Sequence, residues 1–207
     1  MIEVLGRYLP EAAIIPCFEL IKKHGVHLKI VDERLTRHGD YRKLPDGGHL
    51  ITINAGPNPY RFLITLIHEL AHLVAFIEYG QRIAPHGKEW KMTFKEMMLP
   101  FINPAVFPKE LLPVLARHFK NPKASSSGDP VLDKSLTLYD KDTSGVFIED
   151  LAEGTLFSYR ENRTFRKGMK RRKRFECIEI ATQRMYLFQP NARVIPLPHD
   201  NESRRSH

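Results

Sequence analysis

The chain has 207 residues, of which 42% are hydrophobic and 27% are charged. This composition is ordinary for a globular protein and excludes a chain that is disordered throughout. The formal net charge of +8 favours acidic partners, nucleic acid first and an anionic membrane second, although a basic surface also serves solubility alone.

Neither a membrane span nor a secretion signal is predicted. No uninterrupted apolar run reaches the ~18 residues of a spanning helix. The first ten residues lack the basic start and long apolar run of a signal peptide. Two cysteines cannot form a disulfide framework, so we expect the protein in a reducing cytoplasm.

The first part of the chain predicts a helix followed by a small sheet. Apolar residues near helical spacing predict a helix over 9–23, although Pro16 lies inside it. The turn sequence Pro45–Gly48 predicts that the strands on its two sides pair antiparallel. Alternation of apolar and polar residues predicts strands over 26–31, 37–43 and 49–54.

The most apolar stretch of the chain predicts a central helix over 59–79. Asn58 is a suitable N-cap, Pro59 suits the first helical position, and Gly80 suits the end. The stretch is apolar on nearly every side, which is typical of a helix in the middle of a domain. Shorter helices are predicted over 88–98 and 109–119.

Changes in composition divide the chain into four parts. We predict a first domain over 1–120 and, because Ser, Gly and Pro are frequent, a linker or exposed loop over 121–135. A small β-rich basic appendage over 136–198 and a frayed tail over 199–207 follow. The appendage is predicted to contain strands over 156–159, 175–180, 184–188 and 192–195.

The central helix contains the sequence His68-Glu69-Leu70-Ala71-His72, which matches H-E-x-x-H. Two histidines four positions apart lie on one face of a helix and can share a metal ion. Zinc prefers nitrogen ligands, and Glu69 beside them is placed to act as the general base. A chance match is the alternative. Burying two imidazoles and a carboxylate in an apolar helix is costly without a metal or partners, which favours the metal site.

The third metal ligand needs a separate argument. Ala75 and Glu78 exclude the long metzincin motif, which has Gly and His at those positions. Glu89 and Glu96 on the next helix are possible ligands. His86 is the better candidate, because a turn before that helix can direct it toward the pair, and the glycine after it permits a tight backbone. The alternative is a surface histidine on a loop.

Two motifs, Ile67–His72 and Pro85–Trp90, together resemble the SprT-like metalloprotease family, to which the Spartan proteases also belong. In that family an H-E-x-x-H helix is followed by a third histidine in an H-G-x-x-W/F segment. The stretch Arg34–Tyr41, with the pattern Arg-x-x-Arg-x-Gly-Asp-Tyr, also resembles the lead-in strands of the family. The resemblance covers roughly residues 10–120.

The resemblance implies Zn²⁺ held by His68, His72 and His86, with Glu69 as the general base. It also implies an endopeptidase that cleaves proteins bound or crosslinked to DNA. We expect an α+β fold, in which a zincin-like core with a short antiparallel sheet and the H-E-x-x-H helix precedes the basic β-appendage. Many relatives carry a C-terminal zinc ribbon with two Cys-x-x-Cys pairs. This chain has Cys177 alone there, so we expect an appendage without metal.

The residues are also compatible with two other functions. One is a non-catalytic, zinc-containing factor that binds nucleic acid or the transcription machinery. The presence of Glu69 argues against this factor, because a structural metal site needs no base. A structural site is also more often closed by a fourth protein ligand. The other is a zinc hydrolase that acts on another amide.

A basic segment lies between two of the predicted strands of the appendage. We interpret it as a hairpin that neutralises nucleic-acid phosphates without reading sequence, while Tyr159, Phe165 and Phe175 stack on bases. The alternatives are a solvated charged loop and a contact with an acidic protein. The candidate nucleic-acid contacts are Arg160, Arg163, Arg166, Lys167, Lys170, Arg171, Arg172, Lys173 and Arg174.

Overall fold

The structure is a computed structural model that describes residues 1–32, 34, 38–56, 58–80, 82–141, 144–160 and 162–198. The fold is mixed α+β, and the chain divides into two compact units, Met1–Lys141 and Asp142–His207. Each unit has its own hydrophobic core. The tail predicted over 199–207 lies outside the described residues, as does Arg37 at the start of one predicted strand.

The first unit combines six helices with a three-stranded sheet among its described residues. The helix and strand bounds predicted in its first hundred residues are largely confirmed, and only a short first helix was not predicted. In chain order the elements are α1 Ile2–Leu5, α2 Glu11–Lys23, β1 Val26–Val31, β2 Gly39–Lys43, β3 His49–Asn54, α3 Pro59–Tyr79, α4 Lys88–Met98, α5 Leu112–His118 and α6 Pro130–Thr137.

The sheet of the first unit is mixed, which corrects the expected antiparallel sheet. β2 and β3 pair antiparallel, from Gly39 opposite Ile53 to Lys43 opposite His49, as the turn at Pro45–Gly48 predicts. β1 pairs in parallel with the other edge of β3, which gives the order β1-β3-β2. Because β2 reverses the chain between them, β1 and β3 run in the same direction.

Helix α3 forms the centre of the first unit. The Asn58 side chain accepts a hydrogen bond from the N–H of Arg61, and Pro59 occupies the first turn, as the sequence predicts. Gly80 follows the helix with a φ of 80°, a conformation that favours glycine. The helix packs against α4, β2 and β3, so its middle turns lie in the core.

Among the described residues, α3 is the one helix long and apolar enough, by length and composition, to cross a membrane. A buried core helix passes the same test. Of its most apolar window, 61% is buried within the protein, and the helix carries His68, Glu69 and His72 along its middle. The burial therefore favours a core helix.

The first unit extends to Lys141, so the boundary predicted at the end of 1–120 is too early. The linker predicted over 121–135 is wrong in its last six residues, because α6 begins at Pro130 and packs on the core of the unit. Leu132 and Leu136 of α6 are fully buried. These two leucines stand four positions apart, a helical spacing that the neighbouring Ser, Gly and Pro residues obscured.

A polar cluster joins α6 to the start of α3. The Arg61 guanidinium donates hydrogen bonds to the Asp133 carboxylate at 2.5 Å and to the Thr137 hydroxyl at 2.7 Å. The Asn58 amide donates to the carboxylate of Asp140, which also accepts a bond from Arg61 at 3.3 Å. Only 12% of the Arg61 side chain is exposed, so the charge of this arginine depends on its partners in and just after α6.

The second unit is a six-stranded sheet in the order β4-β9-β5-β6-β7-β8, in which all neighbours pair antiparallel. The strands predicted in this region are present within one or two residues, whereas β4 and β6 were not among the predicted strands. Their bounds are β4 Val146–Phe147, β5 Leu156–Tyr159, β6 Arg163–Arg171, β7 Arg174–Glu179, β8 Met185–Phe188 and β9 Arg193–Pro196.

One face of this second sheet carries the aromatic core of the unit. The rings of Phe157 and Phe165 stack with centroids 5.6 Å apart, and Phe188 meets both rings edge-on. Phe175 and Cys177 of β7 are buried on the same face. The aromatic side chains therefore supply most of the apolar area that holds the unit together.

Candidate metal centre

Three imidazole rings meet in the first unit, at the middle of α3. His68 and His72 lie one turn apart on α3, and His86 approaches from the segment before α4. Their Nε2 atoms are 3.1–3.2 Å apart in every pair. Three tetrahedral nitrogen ligands at ordinary zinc distances lie about 3.3 Å apart. The triangle therefore has the size that a metal ion requires.

Hydrogen bonds alone cannot satisfy this triangle. The Nε2 of a neutral imidazole is either a donor or an acceptor, so at least one of the three pairs must join two like atoms. A cation at the centre would instead accept all three lone pairs. Burial, with the charge of the neighbouring histidines, lowers the pKa of His68 to about 3 and that of His72 to about 4. Burial also lowers the pKa of His86, so all three lone pairs are available near neutral pH.

The structure brings His86, and neither of the two alternative glutamates, to the histidine pair. Among the described residues, the cluster able to hold a metal ion consists of the three histidines and excludes Glu89 and Glu96. His86 itself has the tight backbone, with a φ of 58° that is unusual for a residue other than glycine. Gly87 is needed for a different reason, because a Cβ there would lie 2.8 Å from the carbonyl oxygen of Ala84.

Trp90 of α4 supports all three imidazoles. Its ring centroid lies 4.6 Å from that of His68, 5.1 Å from that of His72 and 4.7 Å from that of His86. The indole is fully buried. This supporting role was not predicted, although the H-G-x-x-W spacing already placed an aromatic residue one turn beyond the third histidine.

Glu69 lies on α3 beside the triangle and is buried, with 6% of its surface exposed. Burial, and after it the negative charge of Asp40, raises the pKa of this carboxyl group to about 8. The backbone N–H of Tyr41 donates a hydrogen bond to the carboxylate and opposes that rise. A Cβ placed on Gly39 would lie 2.8 Å from Oε1 of Glu69, so only glycine allows β2 to approach so closely.

Arg34 holds the start of β2 in place. Arg34 donates to the carboxylate of Asp40 at 2.5 Å and to the side-chain oxygen of Asn54 at 2.8 Å. The amide of Asn54 in turn donates to the carbonyl oxygen of Arg34 at 3.1 Å. These bonds hold the start of β2, and with it Gly39 and Tyr41, against Glu69. The Arg-x-x-Arg-x-Gly-Asp-Tyr stretch was the sequence signal for this arrangement.

The segment that contains the centre matches a known family. Residues 19–107 match the model of the SprT-like family. The matched SprT-like segment contains all three histidines together with Glu69, Gly39 and Trp90, and it ends before α5 and α6.

Curated relatives of the SprT-like segment are similar over a short stretch. The chain is 58% identical over 31 residues to Protein SprT of Glaesserella parasuis serovar 5 (strain SH0165), which is 15% of this chain and 19% of that protein. It is 48% identical over 31 residues to Protein SprT of Pseudomonas fluorescens (strain SBW25), with the same shares covered. The chain therefore matches about a fifth of the length of these relatives. No solved structure gives a significant match.

Outside the SprT-like segment, the second unit forms β6 and β7 from the predicted basic segment. We call Arg163–Arg174 the basic hairpin; its turn contains Arg172, with a φ of 54°. Arg163 pairs with Glu179 at 2.6 Å, so much of its charge is already compensated. The residues of the hairpin exposed to solvent include Arg166, Lys170, Arg171, Arg172, Lys173 and Arg174.

Two details of the predicted nucleic-acid surface are wrong. Lys167 is buried, and its ammonium donates to the carbonyl oxygens of Glu149 and Leu151, so it is not available to a phosphate. Phe165 and Phe175 are 1% and 8% exposed and pack in the core, so they cannot stack on bases. The physical reason is that inward and outward side chains alternate along β6, and Phe165 and Lys167 share the inward side. Arg160 lies next to the hairpin, over the ring of Tyr159.

Proposed function

We propose that this protein is a zinc-dependent endopeptidase with a zincin-like core. Zn²⁺ is held by His68, His72 and His86, and Glu69 is the general base. One observation carries the proposal: three neutral Nε2 atoms stand 3.1–3.2 Å apart beside a buried carboxyl group that is not part of their triangle. The SprT-like match over 19–107 supports it, because the segment includes every residue of this centre.

The chemistry divides between the metal and the chain. Bound zinc would supply Lewis-acid chemistry toward a peptide carbonyl. Glu69 removes a proton from the attacking water and returns it to the leaving amine, which requires a pKa near the working pH. The raised pKa of about 8 favours the protonated acid, whereas a dication nearby favours the ionised base. The N–H of Tyr41 holds the carboxylate in place during both transfers.

Metal analysis tests the ligand set. The purified chain is expected to contain about one equivalent of zinc, and a chelator is expected to abolish peptide cleavage. His68→Ala and His86→Ala should each lose the metal, because two imidazoles do not complete the site. Glu89→Gln is the control and should keep it. A His86→Ala variant that retains full zinc affinity would place the third ligand elsewhere.

The approach of β2 to Glu69 gives a second test. Gly39→Ala is expected to lower kcat about tenfold or more, because the new methyl group at 2.8 Å displaces the Glu69 carboxylate from its position. Zinc content should stay unchanged, since no ligand is touched. Gly47→Ala is the control: it lies in the turn before β3 with nothing within 4 Å, so any effect there reports backbone strain alone. An unchanged kcat in Gly39→Ala would remove β2 from the positioning of Glu69.

We further propose that the basic hairpin binds nucleic acid without sequence preference. Binding would bring the peptidase to proteins bound or crosslinked to DNA, in the cytoplasm. Five consecutive basic residues, Lys170 to Arg174, are exposed around the hairpin turn. Within the described part of the chain, Arg171 is the one among them that forms an ion pair, at 3.2 Å to Glu176. Exposed cations of this density can displace counterions from phosphates, which makes the affinity depend steeply on salt.

Charge reversal tests this partner. Replacing Lys170, Arg171, Arg172, Lys173 and Arg174 by glutamate is expected to weaken DNA binding about a hundredfold at low salt and to abolish stimulation of cleavage by DNA. The slope of log affinity against log salt should fall by about one for each phosphate that the hairpin no longer neutralises. The matched control reverses five exposed lysines of the first unit, Lys22, Lys23, Lys29, Lys43 and Lys109. Equal DNA binding by the hairpin variant and the parent would point to an acidic protein instead.

A further inference from the structure

A cavity of about 460 Å³ opens beside the metal centre in the first unit. His86 forms part of its wall, so whatever fills the cavity lies next to the triangle of imidazoles. Its other described walls come from α4 and from the segment that follows α5. A volume of this size holds a small ligand or a few side chains of a peptide.

The wall of this cavity is strongly basic. Lys88, Lys91 and Lys95 face it from α4, Lys120 faces it from the segment after α5, and none of its described lining residues is acidic. None of the four lysines makes an ion pair with a described residue. Lys91 donates to the side-chain oxygen of Asn121 at 2.9 Å, which leaves its charge uncompensated. Four like charges around one cavity repel each other, and an anionic ligand relieves that repulsion.

The spacing of the lysines suits an extended chain. Positions 88, 91 and 95 follow one face of α4 and span about 10 Å along the helix axis. An extended peptide covers that length with about three residues. Gly87 gives helix α4 no side-chain cap, and Glu89 in the first turn offsets part of the positive potential of that helix end, so the four lysines supply the charge of the cavity.

We propose that this lysine-lined cavity binds acidic side chains of the protein substrate, close to the bond that is cleaved. The proposal rests on the peptidase function proposed above and adds a preference for Asp and Glu on one side of the scissile bond. A protein segment fits better than a nucleic acid, because His86 forms part of the wall, and the substrate peptide has to lie beside the imidazoles in order to be cleaved. The size of the cavity also suits side chains better than a nucleic-acid strand.

Peptide binding tests the cavity without relying on cleavage. The zinc-loaded full chain carrying Glu69→Gln is mixed with two fluorescein-labelled peptides that differ only in three consecutive residues, Glu in one and Gln in the other. The acidic peptide is expected to bind about tenfold more tightly in low salt, because three exposed ion pairs each contribute modestly and are screened at higher ionic strength. Fluorescence anisotropy measures both affinities.

Matched triple variants locate the effect. Replacing Lys88, Lys95 and Lys120 by glutamine should remove the tenfold preference, and replacing the same three by arginine should restore it. The control replaces by glutamine three exposed lysines of the same unit that do not line the cavity, Lys22, Lys23 and Lys29, with the same change in net charge. This control variant should keep the preference for the acidic peptide.

Three results would overturn the cavity proposal. One is equal binding of the two peptides by the parent. Another is an equal loss in both glutamine variants, which would reveal a general charge effect. The third is that binding of a single-stranded oligonucleotide depends on the cavity lysines, whereas binding of the acidic peptide does not. By contrast, if the acidic peptide binds through these lysines but the parent chain with Glu69 intact cleaves no peptide, the peptidase proposal is refuted and the binding site stands.

Discussion

Replacing Glu69 by glutamine is expected to lower peptidase turnover about 10²–10⁴-fold while the metal stays bound. General acid–base assistance by a positioned carboxylate contributes a factor of that order. Glutamine has the same shape but cannot take up a proton from the attacking water. Because Glu69 stands outside the triangle of His68, His72 and His86, its replacement removes no ligand.

The surroundings of Glu69 allow this substitution to remove the proton-accepting group without disturbing the packing. The side chain is buried and close to Gly39, so a larger residue would disturb β2, whereas glutamine fits the same volume. The amide oxygen of glutamine can still accept the hydrogen bond from the N–H of Tyr41. Burial raises the pKa of Glu69 to about 8, so without metal the folded chain must take up a proton at neutral pH, which costs stability. Glutamine needs no proton, so the stability of the metal-free variant should hold or rise.

Zinc content, the melting temperature and kcat are measured together for the Glu69→Gln variant. Glu78→Gln, an exposed glutamate on the same helix, is the control and should match the parent in all three quantities. A Glu69→Gln protein that keeps zinc and cleaves at the parental rate would remove Glu69 from the mechanism. A variant that loses zinc would instead make Glu69 part of the metal site.

The local parts of the fold were predictable from the sequence because local chemistry determines them. Asn58, Pro59 and Gly80 mark the ends of α3 through capping and proline geometry, which act within a few residues. The parallel pairing of β1 with β3 was not predictable in the same way. Strand order depends on contacts between segments far apart in the chain, and a turn sequence reports only on the two strands that it joins.

The metal ligands were predictable for a different reason than their supports. His68 and His72 have a fixed spacing on one helix, and His86 belongs to a second motif at a characteristic distance. Gly39 and Trp90 act through tertiary contacts with Glu69 and the imidazoles, and a single sequence does not state which glycine or tryptophan makes such a contact. The close approach of β2 becomes visible only once the strand is placed against α3.

In the basic hairpin, composition alone overestimates the exposed positive charge. The number of basic residues suggested a continuous cationic surface, yet strand periodicity already separates its two faces. Phe165 and Lys167 stand two positions apart and share the buried face of β6. The cationic surface is therefore smaller than the composition suggests and is centred on the turn at Arg172.

A fragment of residues 1–141 is expected to fold on its own, whereas a fragment of residues 1–120 is expected not to. The shorter fragment ends inside the first unit and lacks α6. Loss of the buried Leu132 and Leu136 removes about 1.5–3 kcal/mol of stability for each side chain. The SprT-like segment ends even earlier, at residue 107, so this expectation comes from the structure rather than from the family match.

Loss of α6 also leaves a nearly buried charge without its partners. Arg61 would lose the carboxylates of Asp133 and Asp140, and removing the partners of such a charge typically costs about 3–5 kcal/mol. Together with the two leucines, the loss is comparable to the whole stability of an ordinary domain, ~5–15 kcal/mol. The metal centre on α3 should be lost with the fold, because Arg61 lies in the first turn of the same helix.

Thermal unfolding followed by circular dichroism tests whether each fragment folds. Zinc content is measured on the same samples. The 1–141 fragment should unfold cooperatively and retain one zinc, and the 1–120 fragment should do neither. In the full chain, Arg61→Ala tests the polar part of the contact and should cost several kcal/mol, while the exposed Arg7→Ala serves as the control with little effect. If the 1–120 fragment unfolds at the same temperature as the 1–141 fragment, α6 contributes nothing to the core, and the metal centre depends on the SprT-like segment alone.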